Sequence, residues 1–172
     1  MREQQERECR RTMVASGETR ASSRLLVLRV QSQLCAVPIS HVLETCRPLP
    51  TRPLPNAPEL VLGVALIRAR PTPVVDARRL LGHASLEAPG RYVTLRLGSD
   101  GGRVLALAVD SVVGIREVAS AQLEALAGVL SAEQPLLQAL GTLDRELLLL
   151  LEHARLLPET LWHELEAERA SA

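Results

Sequence analysis

The sequence predicts a mainly β protein, an all-β barrel or sandwich, and three observations carry that expectation. About ten short apolar runs are separated by turn signals, the spacing of many brief strands. Apolar residues make up 47% of the chain, yet Phe is absent and Trp and Tyr occur once each. The core is therefore built from Leu, Val, Ala and Ile, and branched aliphatics suit a pleated sheet. Finally, Pro48, Pro50, Pro53, Pro55 and Pro58 exclude helix from a long stretch of the first half. With 172 residues the chain is long enough to bury about two-thirds of its unfolded surface as one domain.

Residues 1–22 are charged and poor in large apolar side chains, so burial cannot offset their ordering entropy; they read as a flexible arm. Arg24 to Val30 and Gln33 to Val37 flank Gln31-Ser32 as a first hairpin, which Pro38 ends. From Pro38 to Cys46, Ile39, Val42 and Leu43 fall at helical intervals behind a proline, predicting one or two helical turns. The prolines of Arg47 to Pro58 leave only extended or edge structure.

Val61 to Ile67 is continuously apolar, as for a strand covered on both faces, with Gly63 marking a bulge or a close backbone approach. Pro73 to Val75 is a shorter strand, and Asp76 caps a helix over Ala77 to Leu81 that stops at Gly82. Tyr92 to Leu97 and Arg103 to Val109 flank Gly98 to Gly102, a connection tolerant of positive φ. After the break at Asp110-Ser111, Val112 to Val118 is expected as a third strand of the same small antiparallel sheet. Ala121 to Leu130 reads as a short helix or a loop. Leu140 to Leu143 and Glu146 to Leu151 straddle Asp144-Arg145 as a hairpin, although the leucine run is equally good helix by propensity. Leu156, Leu157, Leu161, Trp162 and Leu165 recur at helical spacing, predicting a C-terminal amphipathic helix.

Twenty basic and twenty acidic residues cancel, which removes the long-range field that nucleic acid or an anionic membrane would exploit. Scarce aromatics argue against base stacking. Every basic side chain other than His is Arg, so an individual arginine carries less meaning than usual. Cys9, Cys35 and Cys46 include no C-x-x-C pair, and Cys35, His41 and Cys46 match no standard metal-ligand spacing, so neither a metal nor a disulfide framework is expected. The N-terminal residues lack a signal-peptide apolar run and no segment reaches membrane-spanning length; the expected location is the cytoplasm. No nucleophile elbow, phosphate loop or zinc-protease motif is present, so no catalytic residue and no cofactor is assigned. A small enzyme on a β-barrel scaffold would announce itself by a pocket of convergent polar groups.

Four landmarks in order then resemble the CheW-like coupling domains of bacterial chemotaxis. They are Pro38-Ile39-Ser40-His41-Val42-Leu43-Glu44; Gly63-Val64 through Arg68 to Pro73-Val74-Val75-Asp76; Leu107-Ala108-Val109-Asp110-Ser111-Val112; and Leu140-Gly141-Thr142-Leu143-Asp144-Arg145 leading to Leu147 to Glu152. The last one decides the leucine run for strand. The resemblance implies a domain over residues 23–157 made of two small five-stranded SH3-like barrels around a shared apolar core, with short helices, between the arm and a helix over 158–172. It further implies a non-catalytic adaptor between chemoreceptor cytoplasmic tips and the regulatory domain of a CheA-type histidine kinase. The alternative it leaves is a coupling protein of a sister pathway, such as surface motility. Val42, Glu44 and Arg68 match positions implicated in partner contacts, and Ala69 completes the same turn. Where the family has Asn-Leu-Arg-Gly, this chain has Leu66-Ile67-Arg68-Ala69, and its closing Asp is Glu152. Alanine in place of glycine makes a positive φ costly, so an altered geometry around Arg68 is expected.

Overall fold

A computed structural model describes residues 22–55, 57–84, 88–97, 102–119, 123–125, 137–143, 146–151, 157, 159, 160, 162 and 163. The chain starts with the hairpin β1 (Ser22–Val30) and β2 (Gln33–Pro38). It then runs through β3 (Val42–Cys46), β4 (Thr51–Arg52), β5 (Val61–Ile67), β6 (Arg70–Asp76), the short helix α1 (Ala77–Leu80), β7 (Arg91–Leu97) and β8 (Arg103–Val109). It closes with β9 (Ser111–Ala119), β10 (Leu123–Ala125), β11 (Leu137–Leu143) and β12 (Glu146–Leu151). Two six-stranded sheets result, ordered β10-β11-β12-β2-β1-β9 and β3-β7-β8-β6-β5-β4. Sheet two is thus an insertion between β2 and β9 of sheet one. The two bodies implied by the resemblance are these sheets, each with six strands once the short β4 and β10 are counted.

Both sheets share a plan: two antiparallel triplets meet at one parallel joint, β12 beside β2 in one and β6 beside β8 in the other. Alternation along the interior strands, those at the joints and β1 beside β2, explains why they read as nearly unbroken apolar runs. In β1, Leu26, Leu28 and Val30 enter a central cluster shared by both sheets, while Leu25 and Val27 enter a cluster inside sheet one. In β8, Leu105, Leu107 and Val109 face the central cluster, and Ala106 and Ala108 face the interior of sheet two. The leucine run of β12 divides in the same way, Leu149 and Leu151 to the centre, Leu148 and Leu150 inward. A strand buried on both faces has no polar face to show. Each such leucine contributes about 1.5–3 kcal/mol of burial, which overrides its helix propensity.

Several expectations are revised. Helix after Pro38 is limited to a single 3-10 turn, Ile39–His41; Val42 already has extended φ −80°, ψ 125°, and β3 pairs with β7. The apolar residues there serve a strand in which Val42, Glu44 and Cys46 are half-buried and Leu43 and Thr45 exposed. β5 is not covered on both faces, since Leu66 is 63% exposed; its neighbour β4 has only two residues and stops short of it. β9 does not extend the β7–β8 hairpin. It returns to sheet one and pairs with β1 because the chain turns at Asp110. The uncertain Ala121 to Leu130 stretch contains the strand β10, and the remainder lies outside the described residues.

The hairpins at Gln31-Ser32 and between β7 and β8, the bulge at Gly63 and the Asp76 cap stand as read. Gly63 has φ +137°, and a Cβ there would lie 2.2 Å from the Arg52 carbonyl oxygen, which is why β4 can approach only glycine. Residues 1–21 of the expected arm lie outside the described residues, and Ser22, its last, already belongs to β1. Of the C-terminal helix, residues 159, 160, 162 and 163 have helical backbone, and Leu157 and Trp162 are buried in the central cluster. Arg103 stacks on the Trp162 ring at 5.3 Å and pairs with Glu159 at 2.8 Å.

Candidate functional site

β3 is one edge of sheet two and the β5–β6 hairpin lies near its other edge, yet Glu44 and Arg68 meet. Only a strongly curled sheet allows this, and the interior cluster agrees, since Ala65 and Ile67 of β5 share it with Tyr92 of β7 and Cys46 of β3. Arg68 Nε donates to Glu44 Oε1 at 2.9 Å and to Oε2 at 2.7 Å. The Arg68 side chain is 78% exposed and that of Glu44 24%, so solvent screens the pair and its own contribution to stability is within about 1 kcal/mol.

The turn that presents Arg68 is a two-residue loop, because Ile67 and Arg70 are register partners. Arg68 has φ +49° and Ala69 φ +61°, the twin positive values of a type I′ hairpin. The positive φ that a Cβ makes costly is adopted by Ala69 nevertheless, between strands paired on both sides of the turn. Leu66, opposite Pro71, leaves an exposed apolar pair next to this turn.

On the other side, Glu44 is fixed by a residue that sequence reasoning missed. Thr94 of β7 is buried, and its hydroxyl accepts from Glu44 N at 3.1 Å and donates to Glu44 O at 3.2 Å. This clamp sits where the β3–β7 register slips past Leu43. A threonine within the buried run Tyr92 to Leu95 of β7, between two exposed arginines, was the signal for it. Val42 is placed differently: it opposes Leu95 and packs against the central cluster, a half-buried neighbour of the pair and not a surface group. Glu44, Arg68 and Ala69 are brought together, whereas Val42 is turned to the central cluster.

The thiols near the site lie in apolar surroundings. Cys35 is in the central cluster, where burial pushes its pKa up to about 12. Cys46 packs on the interior of sheet two; burial, and then the Glu44 charge, raises its pKa. Tyr92 is raised by burial and then by Cys46, and its hydroxyl donates to the Leu49 carbonyl at 3.3 Å. The two cysteines point into different clusters. Among the described residues no three His, Cys, Asp or Glu side chains gather as a metal site, and no helix is long and apolar enough to cross a membrane.

Comparison with known proteins falls on this same framework: residues 24–160 match the CheW-like domain family. The chain belongs to that family. A curated relative, the chemotaxis protein CheW of Rhizobium meliloti (strain 1021), is 33% identical over 113 residues, which cover 66% of this chain and 72% of the relative. The crystal structure of the scaffolding protein TtCheW from Thermoanaerobacter tengcongensis superposes with a TM-score of 0.70 at 17% identity, covering 79% of this chain and 92% of that one. At that identity the superposition establishes the fold. This CheW-like domain therefore carries its Glu44–Arg68 pair on a two-sheet frame common to the family.

Proposed function

We propose that this CheW-like domain is a non-catalytic cytoplasmic adaptor that couples chemoreceptors to a CheA-type histidine kinase. The observation that carries the reading is the Glu44–Arg68 pair, drawn from opposite margins of sheet two to one exposed place, with its acid clamped by Thr94 and its base set on a tight turn. Nothing in the local packing requires an arginine that is 78% exposed, whereas a partner surface uses a preorganised charged pair for register and selectivity. The family membership and the names of the relatives support the same reading. Exposed Leu66 in place of a polar residue favours a second reading, a coupling protein of a sister pathway whose partner offers an apolar contact there.

Arg68→Glu tests the assignment. Binding to the kinase regulatory domain or to a receptor-tip fragment should weaken by about 1 kcal/mol or more, the scale of an interface hot spot, while the melting temperature stays within a few degrees. An early melt with unchanged affinity would make Arg68 a structural residue and remove it from the interface.

A further inference from the structure

The central core shared by the two sheets is aliphatic apart from Trp162 and Cys35, and smooth aliphatic contact does not by itself fix an angle between two bodies. Polar groups converge at one place on the seam. Asp110, at the turn where the chain leaves β8 of sheet two for β9 of sheet one, accepts from Arg78 Nε at 2.8 Å and also from Arg78 Nη2. Arg78 belongs to α1, which follows β6 of sheet two directly. The other oxygen of Asp110 accepts from the backbone N–H of Gln31, in the β1–β2 turn of sheet one, and Asp110 N donates to Arg29 O at 3.1 Å. Side-chain exposures of 11% for Arg78 and 21% for Asp110 place the pair largely out of solvent. Next to it, His83, just after α1, lies with Nε2 3.4 Å from Gln33 Oε1 of β2. Gly90 backs the turn: it donates to Val109 O at 2.9 Å, and a Cβ there would lie 2.0 Å from Asp110 O.

We propose that Arg78, Asp110 and the Gln31 N–H form a polar clip that sets the angle between the two sheets. One carboxylate is held by a guanidinium from one body and a backbone N–H from the other, so rotation of the sheets against each other breaks a bond on one side or the other. A charge-assisted fork is directional where the aliphatic seam is not. The clip makes the disposition of surfaces on the two sheets a property of the protein rather than of its partners.

Spin labels at Arg24 and Arg96, exposed on β1 and β7, report the distance between sheets. Labels at Arg70 and Arg96 report a distance within sheet two. Both are placed in a full-length background carrying Cys9→Ser and Cys46→Ser. Asp110→Asn and Arg78→Met should each widen the distribution of distances between sheets and leave the distribution within the sheet unchanged. The double variant should be no wider than either single one, because both remove the same link. Arg78→Met retains packing volume and keeps the test usable if Asp110→Asn fails to fold. Distances between sheets that stay unchanged in a folded variant, with only a lower melting temperature, would overturn the proposal.

Discussion

Ala69 adopts φ +61° in a turn where glycine would be unstrained, and Arg68 shares the left-handed region at +49°. That conformation costs an L-residue roughly 1–2 kcal/mol. Glycine would relieve the strain but adds about 0.4–1 kcal/mol of unfolded-state entropy. Ala69→Gly is therefore expected to stabilise the protein by about 0.5–1 kcal/mol in urea denaturation, and a loss of stability would show the turn to be relaxed as it stands. Cys35 gives a second residue-level expectation. The unfolded chain releases this thiol proton near pH 9.0, and the folded protein retains it to about 12. The raised value means that the associated stability is complete below pH 9 and is lost as pH rises from 9 toward 12. The urea midpoint should be level below about pH 8 and fall above about 9, and Cys35→Ala should flatten part of that fall. The raised Cys46 and Tyr92 act with the same sign and add to the fall. A midpoint that rises with alkali would contradict this assignment. At this scale some roles were open to sequence reading and others were not. Asp76 as a cap followed from one residue ahead of a helix, whereas the Thr94 clamp joins positions fifty residues apart and needs the β3–β7 register.

The element that tests the packing scheme best is β12. As a strand buried on both faces it requires Leu148 and Leu149, on opposite sides, to cost a similar amount when truncated. Each change to Ala should destabilise by about 2–5 kcal/mol, while Leu147→Ala, 53% exposed, should stay within about 0.5 kcal/mol. A helix turns Leu148 and Leu150 to nearly opposite sides and would spare one of them, whereas this strand buries both, so Leu150→Ala, expected to cost about as much as Leu148→Ala, separates the cases. Hairpins were legible because their turns announce themselves, as at Gln31-Ser32 and Gly98 to Gly102. The Pro38 to Cys46 segment was misread because a proline followed by apolar residues at spacings of three and four satisfies a helix pattern locally. Its extended form is imposed from outside, by pairing with β7 and by the Thr94 hydroxyl. Likewise β9 looked like the continuation of a meander, since no local signal at Asp110 says which sheet receives the next strand.

For the whole molecule, the insertion of one sheet within the other produces a single seam and two bodies with the same plan. Composition indicated a β protein and nothing finer. The two-body arrangement came from four ordered motifs, and those motifs sit where the chain changes direction or sheet: the turn after β2, the β5–β6 hairpin, the β8–β9 crossing and the closing β11–β12 hairpin. Polar residues at such points are constrained by backbone geometry, which makes them readable; the surfaces between them are not. The central claim is that one folded chain engages two partners at once. Its most direct test is co-elution of the full-length protein, at micromolar concentration, with the regulatory domain of a CheA-type kinase and a receptor-tip fragment together. The account predicts one complex containing all three, which Arg68→Glu depletes of at least one partner. Kinase and receptor tip that each elute apart from the folded protein would contradict it.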